Sequence, residues 1–194
     1  MGNTIWAIGR NYTDHAKEMS AAIPKEPLVF MKSFGCLNQS NKIEIPEFTS
    51  NLHFELEVAV QLGNNLAPAQ IALALDLTAR DQQTIAKQSG LPWTLAKSFK
   101  NACPISPWIP FENQAWFDKI EFKLHTNKSL QQTGLTSKMI FSLDKIINHL
   151  KEFFPVQSGD IILTGTPSGV GPLNSGDQLE ATLNQQLHWQ VSVY

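Results

Sequence analysis

The stretch His53-Phe54-Glu55-Leu56-Glu57-Val58-Ala59-Val60-Gln61-Leu62 carries apolar side chains at every second position from Phe54 onward, with two carboxylates between them. Such alternation marks a β-strand, and it puts Glu55 and Glu57 on one face. Two carboxylates held side by side repel unless a positive charge lies between them. A divalent cation supplies that charge most economically, and ligation by oxygen alone suits a hard ion: Mg2+, Mn2+ or Ca2+. Nineteen residues beyond Glu57, Leu75-Asp76-Leu77-Thr78-Ala79-Arg80-Asp81 offers Asp76 as a third ligand, arriving from a second strand. The competing reading of the same spacing is a solvated strand face with no ion. His53 shares the parity of the two glutamates, so a site of histidine and carboxylates is also geometrically open.

Three other stretches are rich in chemistry. Gly9-Arg10-Asn11-Tyr12-Thr13-Asp14-His15-Ala16-Lys17-Glu18 sets His15 and Glu18 three apart, neighbours on one helical turn. The carboxylate can orient the imidazole and raise its basicity, so the pair can act as a general base toward water; an ordinary exposed helical pair has the same spacing. In Gly90-Leu91-Pro92-Trp93-Thr94-Leu95-Ala96-Lys97-Ser98-Phe99, Lys97 is a cation among apolar groups. It is placed to neutralise a substrate carboxylate, or simply to snorkel from an apolar surface. Asp160-Ile161-Ile162-Leu163-Thr164-Gly165-Thr166-Pro167-Ser168-Gly169 reads as a buried strand breaking into a glycine-rich turn. Backbone N–H groups in such a turn can face an anion, although Gly and Pro also punctuate plain strand ends.

Together these stretches resemble the fumarylacetoacetate hydrolase family, and within it the acylpyruvase and oxaloacetate decarboxylase branch. The motifs that carry the resemblance are Gly9 to Met19, Asn51 to Glu57, Leu75 to Gln83, Gly90 to Phe99, Ser137 to Ser142 and Gly159 to Pro172, in order along nearly the whole chain. The resemblance implies that Glu55, Glu57 and Asp76 are metal ligands, with Mg2+ or Mn2+ as the cofactor. It implies that His15 and Glu18 form a dyad on a lid that closes over the substrate, and that Lys97 contacts a bound oxoacid. Gln83 would lie near the scissile group, and Arg10 and Thr166 would line the pocket. It further implies a mixed β-sandwich roll that pairs as a homodimer. The chain departs from the family pattern in a connection, Gly63 to Ala74, about ten residues shorter than usual, in Lys32-Ser33 for Lys-Pro, and in Asn127-Lys128 for Asn-Gly.

The implied activity is metal-dependent cleavage of the C–C bond of 3-acylpyruvates, possible also as decarboxylation of oxaloacetate. A 2-oxo acid chelates the ion, the electrons released on bond cleavage collect as an enolate, and His15 with Glu18 activates water. Two alternatives remain: a tautomerase or isomerase of 2-oxo acids on the same site, and a non-catalytic oxoacid-binding relative.

Composition bounds the rest. With 194 residues, 42% of them hydrophobic, the chain suits a single catalytic domain with a sizeable core. Its 15 basic and 17 acidic residues nearly balance without a basic run, which argues against nucleic acid or an anionic membrane as partner. No apolar stretch is long enough to cross a bilayer and the first residues lack a signal-like pattern, so a cytoplasmic location is expected. Cys36 and Cys103 are expected to be free thiols without a catalytic part. Strand-like segments at Leu28 to Met31, Phe54 to Leu62, Ile120 to Asn127, Asp160 to Leu163 and Gln190 to Tyr194 predict a strand-dominated α+β fold. One helix is expected after Ser142, with Leu143, Ile146, Ile147, Leu150 and Phe154 on one stripe and Pro155 beyond its end.

Overall fold

A computed structural model describes residues 3–19 and 22–194. The fold is the expected strand-dominated α+β arrangement of several sheets. A six-stranded mixed sheet runs in the order Ile109–Pro110, Pro68–Leu75, Leu56–Leu62, Ile161–Leu163, Thr4–Gly9, Leu28–Ser33. Only Thr4–Gly9 and Ile161–Leu163 pair in parallel within it. A five-stranded sheet is built from Ser129–Leu135, Glu121–Thr126, Gln178–Leu183, Leu187–Val193 and Lys42–Ile43. A small third sheet joins Gly171–Pro172, Leu52–Phe54 and Thr78–Ala79.

The segment Phe54 to Leu62 is not one strand. It divides at Glu55, where the chain leaves the three-stranded sheet and enters the six-stranded one. Leu56, Val58, Val60 and Leu62 are buried, but so are Glu55, Glu57 and Ala59, so the polar face is covered rather than solvated. The sequence pattern could not show this, because alternation reports two different faces and not what covers the second one. The strand Pro68–Leu75 falls in the stretch read as a bare connection; its Ala-rich sequence has weak strand propensity, and pairing on both sides makes it a strand. Its register sets Glu57 opposite Ala74 and Leu56 opposite Leu75, and the backbone N–H of Asp76 donates to Glu55 O at 2.8 Å. The short connection is thus a hairpin that delivers Asp76 beside Glu55.

At another noted departure, Asn127 and Lys128 both take positive φ, 52° and 68°. This is the backbone of a two-residue hairpin turn, with the lysine doing what glycine does without strain. Helices α1 (Thr13–Glu18), α2 (Arg80–Ser89), α3 (Thr94–Lys97), α4 (Gln114–Phe117) and α5 (Leu143–Phe153) decorate the sheets. The last is the expected helix: Ser142 caps it by accepting from Lys145 N, its Leu143, Ile146, Ile147 and Leu150 are buried, and Phe154 packs on Trp6.

Asp160 ties the parallel pair together from inside the core. Its Oδ1 accepts from Thr4 N (2.8 Å) and its Oδ2 from Trp6 Nε1 and Gln157 N (both 2.9 Å). All three partners are donors, so an Asp160→Asn side chain must aim its own NH2 at one of them. The expected loss of stability is on the order of 2–4 kcal/mol, read as a lower denaturation midpoint in urea. A change under ~0.5 kcal/mol would mean the carboxylate is not a structural tie.

Candidate active site

Glu55 at the strand break, Glu57 on Leu56–Leu62 and Asp76 just past Leu75 bring three buried carboxylates together, with ligand oxygens all within 4.8 Å of one another. Burial opposes the ionisation of Glu55, but Lys97, Arg80 and His15 together hold its carboxyl well below the usual range. Glu57 is pushed well above it by burial and then by the charges of Asp76 and Glu55; the Gly165 N–H, 2.6 Å from its Oε2, offsets only part of this. The glycine-rich turn therefore does face a carboxyl group, and it is the protein's own Glu57. His53 stands apart from the cluster: its Nε2 meets Asn51 Oδ1 at 2.8 Å, and burial followed by the charge of Arg80 lowers its pKa to about 4.

The donor set fits a hard divalent ion. All ligands are carboxylate oxygens, and Asp76 Oδ1 is a buried oxygen without a hydrogen-bond donor. Lys32 Nζ approaches that oxygen to 2.7 Å as an ion pair lacking hydrogen-bond alignment. That oxygen already has the Lys32 ammonium as its counter-charge, so the fit to an ion rests on the three carboxylates themselves.

Two buried lysines frame the triad. Lys97, at the end of α3, lies 2.9 Å from Glu55 Oε2, 2.5 Å from Asp76 Oδ2 and 2.6 Å from Thr78 Oγ1, with the Phe30 ring 5.1 Å beneath it. Burial works against its charge, but Asp76 and Glu55 more than compensate and raise its pKa. Lys32 is wholly buried and donates to Leu77 O and to Lys97 O, so it fixes both the strand end that carries Asp76 and the backbone of Lys97. Sequence reasoning noted Lys32 only as the start of a departure; the signal available was a lysine in an otherwise apolar strand.

Across the cleft, the first turn of α1 sets His15 Nδ1 3.2 Å from Glu18 Oε2, as the spacing predicts. His15 is buried rather than on an exposed helical face, and Glu18 Oε1 reaches across to accept from Gly169 N at 3.0 Å. A Cβ at Gly169 would lie 2.0 Å from Gln131 O, which explains the glycine. Arg10, Gln83, Lys97, Thr166 and His15 all line one cleft with the triad. Glu18 backs His15 from outside that lining.

Thr166 is more committed than expected: its hydroxyl donates to Leu56 O and accepts from Gln132 Nε2, both at 2.8 Å. Gln132 was missed from sequence. Its amide also accepts from Leu56 N at 2.9 Å, so one buried side chain locks the Thr-Gly-Thr-Pro turn to the strand bearing Glu57. Arg80 was missed as well, though it lies in a quoted motif; it donates to Glu55 Oε1 (2.6 Å) and Gln83 Oε1 (2.8 Å). Cys36 and Cys103 are free and buried, and burial above all pushes the Cys103 thiol up to about 12, far from a nucleophile.

A strand-dominated α+β fold with a buried three-carboxylate cluster beside a His–Glu pair defines a class of protein whose cleft could hold a divalent ion through oxygen ligands. The chain belongs to the fumarylacetoacetate hydrolase family: the Fumarylacetoacetate (FAA) hydrolase C-terminal model matches residues 4–192. It is 42% identical over 194 residues to the human protein named oxaloacetate tautomerase FAHD1, mitochondrial, covering 94% of this chain and 88% of that one. It is 39% identical over 191 residues to oxaloacetate decarboxylase, mitochondrial, of Dictyostelium discoideum, covering 92% of this chain and 88% of the other. A crystal structure of fumarylpyruvate hydrolase from Pseudomonas aeruginosa with Mn2+ and pyruvate superposes with a TM-score of 0.92 at 26% identity, covering 98% of this chain and 89% of that one. The expectation of a cytoplasmic location is overturned by the human and Dictyostelium relatives, whose names place them in mitochondria. That expectation rested on the lack of a signal-like start and of a long apolar stretch. No helix among the described residues is long and apolar enough to cross a membrane, which leaves the compartment open.

Proposed function

We propose that this chain is a metal-dependent enzyme that interconverts the keto and enol forms of short 2-oxo acids, oxaloacetate foremost, and promotes loss of CO2 from oxaloacetate at the same site. The observation that carries this reading is the buried Glu55, Glu57 and Asp76 triad opening on a cleft shared with Lys97 and His15. The names of the human and Dictyostelium relatives support oxaloacetate as the substrate. Mg2+ or Mn2+ held by the triad supplies Lewis acidity toward the 2-oxo acid.

The remaining work falls to side chains. Lys97, dehydrated and fixed, opposes the negative charge that develops on the substrate oxygen. Since His15 Nδ1 is engaged by Glu18, Nε2 is the nitrogen free to exchange a proton with the cleft. It takes the proton from C3 of the 2-oxo acid while the C–H electron pair delocalises onto the 2-oxygen; the imidazolium then gives that proton to the oxygen to form the enol, and the reverse sequence restores the ketone. Glu18 stabilises the imidazolium formed in between. Phe30, Trp93 and Leu28 form apolar wall that keeps bulk water from the exchanging proton.

Cleavage of 3-acylpyruvates is the second reading, favoured by the His15–Glu18 geometry, because the same Nε2 can instead deprotonate water. Pairing as a homodimer belongs to the same proposal; the free edge of Leu28–Ser33 among the described residues, with Met31 exposed on it, supports it.

The experiment is a substrate panel with Mg2+: enol-oxaloacetate followed by enol absorbance, oxaloacetate by CO2, and acetylpyruvate and fumarylpyruvate by pyruvate release. Enol loss well above the buffer rate supports the first reading. Higher kcat/KM for pyruvate release from an acylpyruvate moves the assignment to the second, and no acceleration on any substrate removes both.

A further inference from the structure

The cleft holds more positive charge than its carboxylates use. Arg80 and Lys97 are engaged by Glu55 and Asp76 at 2.5 to 2.9 Å. Arg10 and Lys87 line the same cleft, and neither has a carboxylate within ion-pair distance among the described residues. Arg10 takes a left-handed backbone, φ 57°, where the chain turns out of its first strand into the approach to α1.

Lys87 is held at the charged end. One turn beyond Gln83 on α2, its Nζ lies 3.3 Å from Gln83 Oε1 and 5.4 Å from the centroid of the Trp93 ring. Partial burial first, and then the charges of Arg80, Arg10 and Lys97, lower its pKa. Cations gathered in a cleft without counter-charge lower their energy by taking up an anion.

We propose that Lys87, with Arg10, forms a second anion subsite that receives the distal carboxylate of a substrate whose 2-oxo acid end lies at the triad. Lys87 is then a specificity-determining residue that selects short 2-oxo dicarboxylates over 2-oxo monocarboxylates. This rests on the reading of the triad as a 2-oxo acid site. A charge-assisted hydrogen bond of this kind is worth roughly 10- to 100-fold in discrimination.

The test uses the Mg2+-loaded enzyme on oxaloacetate and on its 4-methyl ester, in which the distal carboxylate is neutral, by the enol assay. The wild type is expected to prefer oxaloacetate. In Lys87→Gln the ratio of the two kcat/KM values is expected to fall about tenfold or more, with the change in the KM for oxaloacetate, and Lys87→Arg is expected to keep the preference. Lys87 projects from an exposed helical position, so an equal melting temperature of variant and wild type is expected to accompany the change. An unchanged ratio in Lys87→Gln with an active wild type overturns the subsite and leaves the 2-oxo acid reading standing. A wild type inert toward both substrates overturns that reading and the subsite with it.

Discussion

Glu57→Gln is expected to remove metal binding and with it turnover, a loss of about 1000-fold or more in kcat/KM, equivalent to ~4 kcal/mol of transition-state stabilisation. The same substitution should leave the metal-free protein at least as stable as wild type. The wild-type carboxyl is buried beside Asp76 and Glu55 and is pushed far above its ordinary value, so ionising it costs folding energy. The sign follows: a carboxyl raised in the folded state makes metal-free wild type lose stability as pH climbs from about 4.5 toward the raised value. Glu57→Gln lacks that group, so in chelator its melting temperature should exceed that of wild type by a margin that grows across this window. Addition of Mn2+ should then raise the melting temperature of wild type and leave the variant where it was. A variant that melts much lower than wild type in chelator would instead make Glu57 a structural residue.

His15→Gln is expected to lower kcat by about 100- to 1000-fold with little change in metal affinity, the usual scale of a positioned general base. Glu18→Gln should cost less, about tenfold, because the amide can still accept from Gly169 N but no longer balances an imidazolium. The comparison separates proton transfer by the imidazole from the charge that backs it. If both variants lost the same large factor, the Glu18 charge would be as necessary as the imidazole it backs; if His15→Gln kept full activity, the proton would have to pass elsewhere.

What could be read in the sequence, and what could not, divides along physical lines. The Glu55–Glu57 pair and the His15–Glu18 pair were legible because each rests on local spacing, parity along the chain and three residues along a helix, whereas Asp76 reaches them only through strand pairing. Helix α5 was legible for the same reason, its apolar stripe being periodic and its Ser142 cap local. The role of Lys32 was not, since its partners Asp76, Leu77 and Lys97 lie 44 or more residues away and meet it only through sheet order. Gln132 joins Leu56 to Thr166 across two sheets, a closure no single segment announces. The split of Phe54–Leu62 at Glu55 was hidden because both halves keep the same alternation; the Asp76 N–H that takes the Glu55 carbonyl arrives from another strand.

The measurement that bears most directly on the central claim is the rate of enol-oxaloacetate decay with wild type in Mg2+, with wild type stripped by chelator, and with Glu57→Gln in Mg2+. Acceleration is expected only in the first, restored to the stripped protein by returning Mg2+ or Mn2+. Equal acceleration in chelator or in the variant would contradict it, because the triad would then have no part in the chemistry.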